Sequence, residues 1–108
     1  MKKEREPFVR ALTSTARYTR LLIPGEQAVC LKSGLVVLQP REAVGEHSTD
    51  SREEVLVILQ GKAGIALNGD KALEAGAGTL VYIPEHTVHN VTNRGSGILR
   101  YIFIVTPV

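Results

Sequence analysis

Tryptophan is absent from this 108-residue chain, and aromatic residues make up only 5% of it. The three that fall late in the chain, Tyr82, Tyr101 and Phe103, are assigned to the core rather than to a platform for a substrate. Cysteine is scarce too. Cys30 alone cannot close an intramolecular disulfide, and its place between Val29 and Leu31 predicts a buried thiol. No run of about 18 apolar residues is present to cross a membrane, and the charged N-terminus lacks the apolar region of a signal peptide. These absences predict a cytoplasmic protein without a membrane partner. Neither sign of charge dominates, with 13 Lys+Arg against 11 Asp+Glu and a formal net charge of +2. The basic residues are spread along the chain, and the one dense run, K-K-E-R-E, is balanced by acids, which argues against a nucleic-acid partner. Also missing are C-x-x-C, a glycine-rich phosphate loop and G-x-S-x-G, which excludes dithiol redox chemistry, P-loop nucleotide binding and a serine-hydrolase elbow.

What is present is a series of short apolar runs broken by Gly, Pro and Asn. A chain of this length suits one domain. Residues 1–7 read as a flexible N-terminal arm and 8–108 as the domain, with Phe8 and Val9 as its first anchors. Strands are expected over 16–23, 28–31, 34–39, 54–60, 62–67, 71–75, 78–83, 90–92 and 98–105, with 43–49 extended. Asn68-Gly69 is a two-residue hairpin signal, because both positions tolerate positive φ. The clearest strand is V-L-V-I-L after Glu54. Glu54, Leu56 and Ile58 share one face and Val55, Val57 and Leu59 the other, so a sheet or a second subunit should cover each side. Roughly ten short strands and no amphipathic helix predict an all-β jelly roll or small barrel.

Two stretches carry the chemistry. Residues 45–61 read G-E-H-S-T-D-S-R-E-E-V-L-V-I-L-Q-G, and 78–93 read G-T-L-V-Y-I-P-E-H-T-V-H-N-V-T-N, a strand followed by a Pro-containing turn that presents His89. Together they resemble the cupin superfamily, whose motifs are G-(x)5-H-x-H-(x)3,4-E-(x)6-G and G-(x)5-P-x-G-(x)2-H-(x)3-N. Gly78, Pro84, His89 and Asn93 fit the second motif, with His86 at its middle glycine. His47, Glu54 and Gly61 fit the first, while Arg41 stands at its opening glycine and Thr49 at its second histidine. Glu53 also suits the spacing to the histidine, but only Glu54 leaves six residues before Gly61.

The resemblance implies a small single-domain cupin of the conserved-barrel type, with a double-stranded β-helix holding one divalent metal on His47, Glu54 and His89. The residues support the same set. Positions 47 and 49 share a face of extended chain, so Thr49 should point where His47 points, as an accessory to a metal-bound water or beside an open coordination position. An ionised Glu54 at the start of an apolar strand calls for a cation. Two His and one carboxylate suit Fe(II) or zinc, and Zn, Fe, Mn and Ni all remain open. His86 is a second accessory candidate if it swings inward, whereas Pro84 and Asn93 read as structural. Arg100, breaking an apolar strand, either meets an anionic ligand or faces outward. The resemblance thus implies a metal-dependent activity on a small polar or acidic metabolite, or alternatively a non-catalytic ligand-binding or sensor cupin with weakened metal binding. The outward apolar faces predict a homodimer, with the N-terminal arm crossing to the partner.

Overall fold

The computed structural model describes residues 5–69 and 71–108. Its apolar runs become nine antiparallel strands: β1 (Tyr18–Leu22), β2 (Lys32–Leu38), β3 (His47–Ser48), β4 (Arg52–Gln60), β5 (Lys62–Leu67), β6 (Lys71–Gly76), β7 (Thr79–Ile83), β8 (Val88–Asn93) and β9 (Leu99–Pro107). They form two sheets, ordered β1-β2-β9-β4-β7 and β3-β8-β5-β6. No helix occurs among the described residues, so each sheet buries its apolar face against the other, as the jelly-roll expectation requires.

Strand alternation decides what points inward. On β4, Glu54, Leu56 and Ile58 are buried, while Val55 and Val57 are half-buried and Leu59 is exposed. The inner residues join Leu38, Ile65, Ile83, Val91, Leu99 and their neighbours in one core between the sheets. Each such side chain stabilises the fold by about 1.5–3 kcal/mol. Among the described residues, the outer face of the large sheet is covered at the β1–β2 end, where Leu21, Leu35 and Val37 form a second cluster closed by Leu12 and Ile102.

Arg100 explains how that cover is held. Its guanidinium faces outward and donates to the carbonyls of Ser14, at 2.9 Å, and Leu12. The arginine that interrupts β9 therefore fastens the N-terminal segment and takes no part in the barrel interior. Phe8 and Val9 are exposed, so the first anchor is Leu12 instead. Of the expected arm, residues 1–4 lie outside the described residues, and Arg5 to Pro7 are exposed and form no strand.

Four other expectations need correction. Residues 28–31 form no strand: Pro24-Gly25 turns the chain back on itself, and Gly25 N–H donates to Ala28 O at 2.8 Å, leaving a single bridge between Pro24 and Ala28. Cys30 lies in that loop and is exposed rather than buried. Tyr82 points away from the core, 53% exposed, and its hydroxyl donates to Glu53 Oε1 at 2.8 Å. In the β5–β6 connection Asn68 and Gly69 do take φ of 48° and 81°, but the register pairs Leu67 with Lys71, one residue wider than a two-residue hairpin.

Candidate metal centre

The two histidines meet because of strand register. His47 opens β3 directly opposite His89 on β8. Opposed residues of an antiparallel pair project to the same face, and the rings approach to 4.2 Å between centroids, tilted by 60°. His89 therefore sits within a strand that begins at Val88, not in the turn before it. Glu54 arrives from the other sheet on the inward face of β4. One donor atom from each of His47, Glu54 and His89 lies within 4.8 Å of the others. Metal bonds of about 2.0–2.2 Å put the donors of a tetrahedral site about 3.3–3.6 Å apart, so the group has to close by up to about 1.5 Å to hold one ion.

The hydrogen bonds around the rings prepare them for this. His89 Nδ1 lies 3.1 Å from Thr87 O, and His47 Nδ1 lies 3.0 Å from Gly45 O. A carbonyl only accepts, so each Nδ1 carries a proton, and a ring in its neutral form then presents a bare Nε2 lone pair. His89 Nε2 is buried without a hydrogen-bond partner. Glu54 Oε1 lies 3.0 Å from it, close enough for an ion pair but off the axis along which an N–H would point. A lone pair facing a carboxylate in a buried site requires a cation between them, either a metal ion or a proton. Burial disfavours the imidazolium of His89, but the Glu54 acceptor, the Thr87 carbonyl and the Glu54 charge together outweigh it, so the pKa is raised.

Thr49 is buried, and its hydroxyl donates to Pro84 O at 2.7 Å and accepts from Thr87 N–H at 3.0 Å. Its own N–H donates to Thr87 O at 3.1 Å, the carbonyl that orients His89. The hydroxyl thus clamps the β7–β8 connection, and Thr49 acts on the site through Thr87. His86 is exposed and stands outside the group of three, its backbone N–H donating to Asp50 O at 2.8 Å.

Arg41 and His86, the two residues that replace glycines of the motifs, both have positive φ, 73° and 54°. The turns have kept a left-handed geometry that costs an L-residue about 1–2 kcal/mol. His86→Gly is expected to raise stability by about 0.5–1 kcal/mol, after the extra chain entropy of glycine is subtracted. Urea unfolding checks this, and metal titration of the variant should be unchanged.

The group of three opens into a cavity of about 880 Å³ between the sheets. Its lining includes residues absent from the expected site: Tyr18, Arg20 and Leu22 of β1, and Lys32 of β2. The signal that would have found them is the two-residue alternation of β1, where 18, 20 and 22 share a face. Tyr101 also lines the cavity, and its hydroxyl pKa is pushed up by burial and by the nearby Glu54 charge, against an opposing pull from Arg17.

A family model described as "Cupin domain" matches residues 34–105. A comparison with curated protein sequences finds no significant match. Among solved structures, a Bacillus halodurans protein aligns at TM-score 0.83 and 22% identity, over 95% of this chain and 83% of that one. A Cupin 2 conserved barrel domain protein from Salinispora arenicola aligns at TM-score 0.73 and 21% identity, over 100% of this chain and 92% of that one. The Cnp3 cupin domain of Schizosaccharomyces pombe aligns at TM-score 0.75 and 14% identity, over 84% of this chain, which spans 64% of that domain's length.

Proposed function

This chain belongs to the Cupin domain family, and from that premise we propose that it binds one divalent metal ion through His47, Glu54 and His89, with a small polar or acidic ligand beside it in the barrel cavity. The observation that carries this reading is the buried, unpartnered Nε2 of His89 facing the Glu54 carboxylate. The donor set suits Zn, Fe, Mn or Ni. When bound, such an ion supplies Lewis acidity, polarising an oxygen of the ligand or lowering the pKa of a coordinated water. The chain's own part is to hold two imidazoles in one tautomer through Thr87 O and Gly45 O, and to keep Tyr101 protonated as a donor at the cavity wall.

Calorimetric titration of chelator-treated protein with each metal tests the reading. One site per chain is expected, and absence of binding by all four ions would sink it. A pH series adds a signed prediction. With the His89 pKa raised in the folded state, the His89–Glu54 pair stabilises metal-free protein fully below the unfolded-state value of about 6.5. That stabilisation is lost as pH rises through the folded value. Metal uptake must displace the same proton, so affinity should rise over the window in which metal-free Tm falls. Thermal scans between about pH 6 and pH 9, with and without chelator, check both slopes.

One observation favours the alternative of a non-catalytic ligand-binding or sensor protein: Glu54 is the only carboxylate lining the cavity among the described residues. That leaves no separate carboxylate to serve as a base. Bound metal without turnover on a panel of small acids and diols would establish it. The homodimer reading rests on Leu80, Tyr82 and Leu59, which extend the half-buried Val55 and Val57 into an apolar outer face on β4 and β7. Light scattering at high micromolar concentration should show a dimer. An exposed Cys30 thiol suits a reducing, cytoplasmic setting.

A further inference from the structure

We infer that the cavity takes an elongated anion, with a carboxylate or phosphate group seated at Arg20 and Lys32, an apolar body over Phe103 and Val105, and its other end at the group of His47, Glu54 and His89. Only the placement of that other end rests on the metal reading.

The strand register sets the dimensions. Lys32 pairs with Val105, and Val105 with Glu54, so all three side chains point into the barrel along one line across β2, β9 and β4. Two strand spacings separate Lys32 from Glu54, about 10 Å. The next line inward runs from Arg20 through Gly34 and Phe103 to Leu56. Gly34 has no side chain to fill the space between Arg20 and Phe103. A Cβ there would meet ring atoms of Tyr18 and Phe103 at 2.5 and 2.6 Å, and in its absence the two rings stack at 6.0 Å with 10° between their planes. The result is a flat apolar floor between a cationic edge and the candidate metal centre.

Charge selects the class of ligand. Four cations line the cavity, Arg17, Arg20, Lys32 and Arg52, against one acid, Glu54. Glu54 is already engaged by His89, and Arg17 is paired with Glu42 at 2.9 Å. Among the described residues Arg20, Lys32 and Arg52 have no acidic partner within ion-pair distance, and Arg20 and Lys32 are exposed together at the cavity edge away from Glu54, where an anion can reach both. A neutral apolar ligand would cover the floor and strip water from two unpaired cations, whereas an anionic head would pair with them.

The test uses chelator-treated and zinc-loaded protein, titrated with 3-phenylpropionate, phenyl phosphate and the neutral 3-phenylpropanamide. One or both anions should bind to either form, with the preferred head group identifying the source chemistry, and the amide at least about tenfold more weakly. An Arg20→Gln/Lys32→Gln variant should lose at least about tenfold in anion affinity while its Tm and zinc titration stay those of the parent. Equal binding of amide and acid, unchanged anion binding by the double variant, or no binding by either anion would each overturn the inference. Loss of zinc binding with anion binding intact would instead count against the metal reading alone.

Discussion

His89→Ala is expected to leave a folded protein whose affinity for divalent metal has fallen by at least about 100-fold, whereas His47→Ala should lower it by about tenfold. Both remove one donor, so the difference lies in how firmly each is held. His89 is 1% exposed and within 3.0 Å of Glu54, and its Nδ1–H is fixed on Thr87 O, a carbonyl also held by the Thr49 N–H. His47 is exposed on a two-residue strand, and its ring is oriented by one carbonyl, that of Gly45, whose φ is 108°. A donor ordered by the fold loses less entropy on binding than one on a strand end, so it carries more of the affinity. Calorimetry on chelator-treated variants reads the comparison. His89→Gln, which keeps most of the volume, separates loss of a ligand from loss of packing should the alanine variant unfold. A His47→Ala defect equal to or larger than that of His89→Ala would contradict this picture of the site.

Asn93→Asp should be the most destabilising single polar substitution in the chain, at about 3–5 kcal/mol in urea unfolding. Asn93 is 2% exposed at the end of β8. Its Nδ2 donates to Leu38 O and to Gly97 O, both at 2.9 Å, and its Oδ1 accepts from Gly95 N–H at 2.9 Å. Both amide protons are thus used, and they join β8 to the end of β2 and to the turn before β9. A carboxylate in that place sets oxygen against two buried carbonyls, and can relieve only one of those contacts by taking up a proton. Against a typical domain stability of about 5–15 kcal/mol, the loss would leave a large unfolded fraction at physiological temperature. A measured change below about 1 kcal/mol would mean that the site relaxes to admit water.

Much of the fold was legible because strand alternation and turn residues are local properties. The V-L-V-I-L run after Glu54 and the stops at Pro24-Gly25 and Pro84 are visible without any tertiary information. The failures occur where a local rule was overridden by a distant partner or by chain reversal. Residues 28–31 have strand composition, but the turn at Pro24-Gly25 uses their backbone groups, so they pair with no strand. Tyr82 resembles a core aromatic, yet its parity on β7 places it outside, opposite Val55 on the outer face of β4. Arg100 left two readings open, and only the N-terminal segment lying 86 to 88 residues earlier in the chain decided between them.

By itself the sequence determined the fold class, because repeated two-residue alternation between turn signals calls for an all-β jelly roll or small barrel, and its resemblance to the cupin motifs implied which three side chains were candidates to share a metal. Tertiary structure decided what those candidates are worth. The facing of His47 and His89, the committed hydroxyl of Thr49 and the cationic edge formed by Arg20 and Lys32 all follow from registers between strands far apart in the chain. Register is fixed by burying one face of every strand at once, a condition that no local stretch contains.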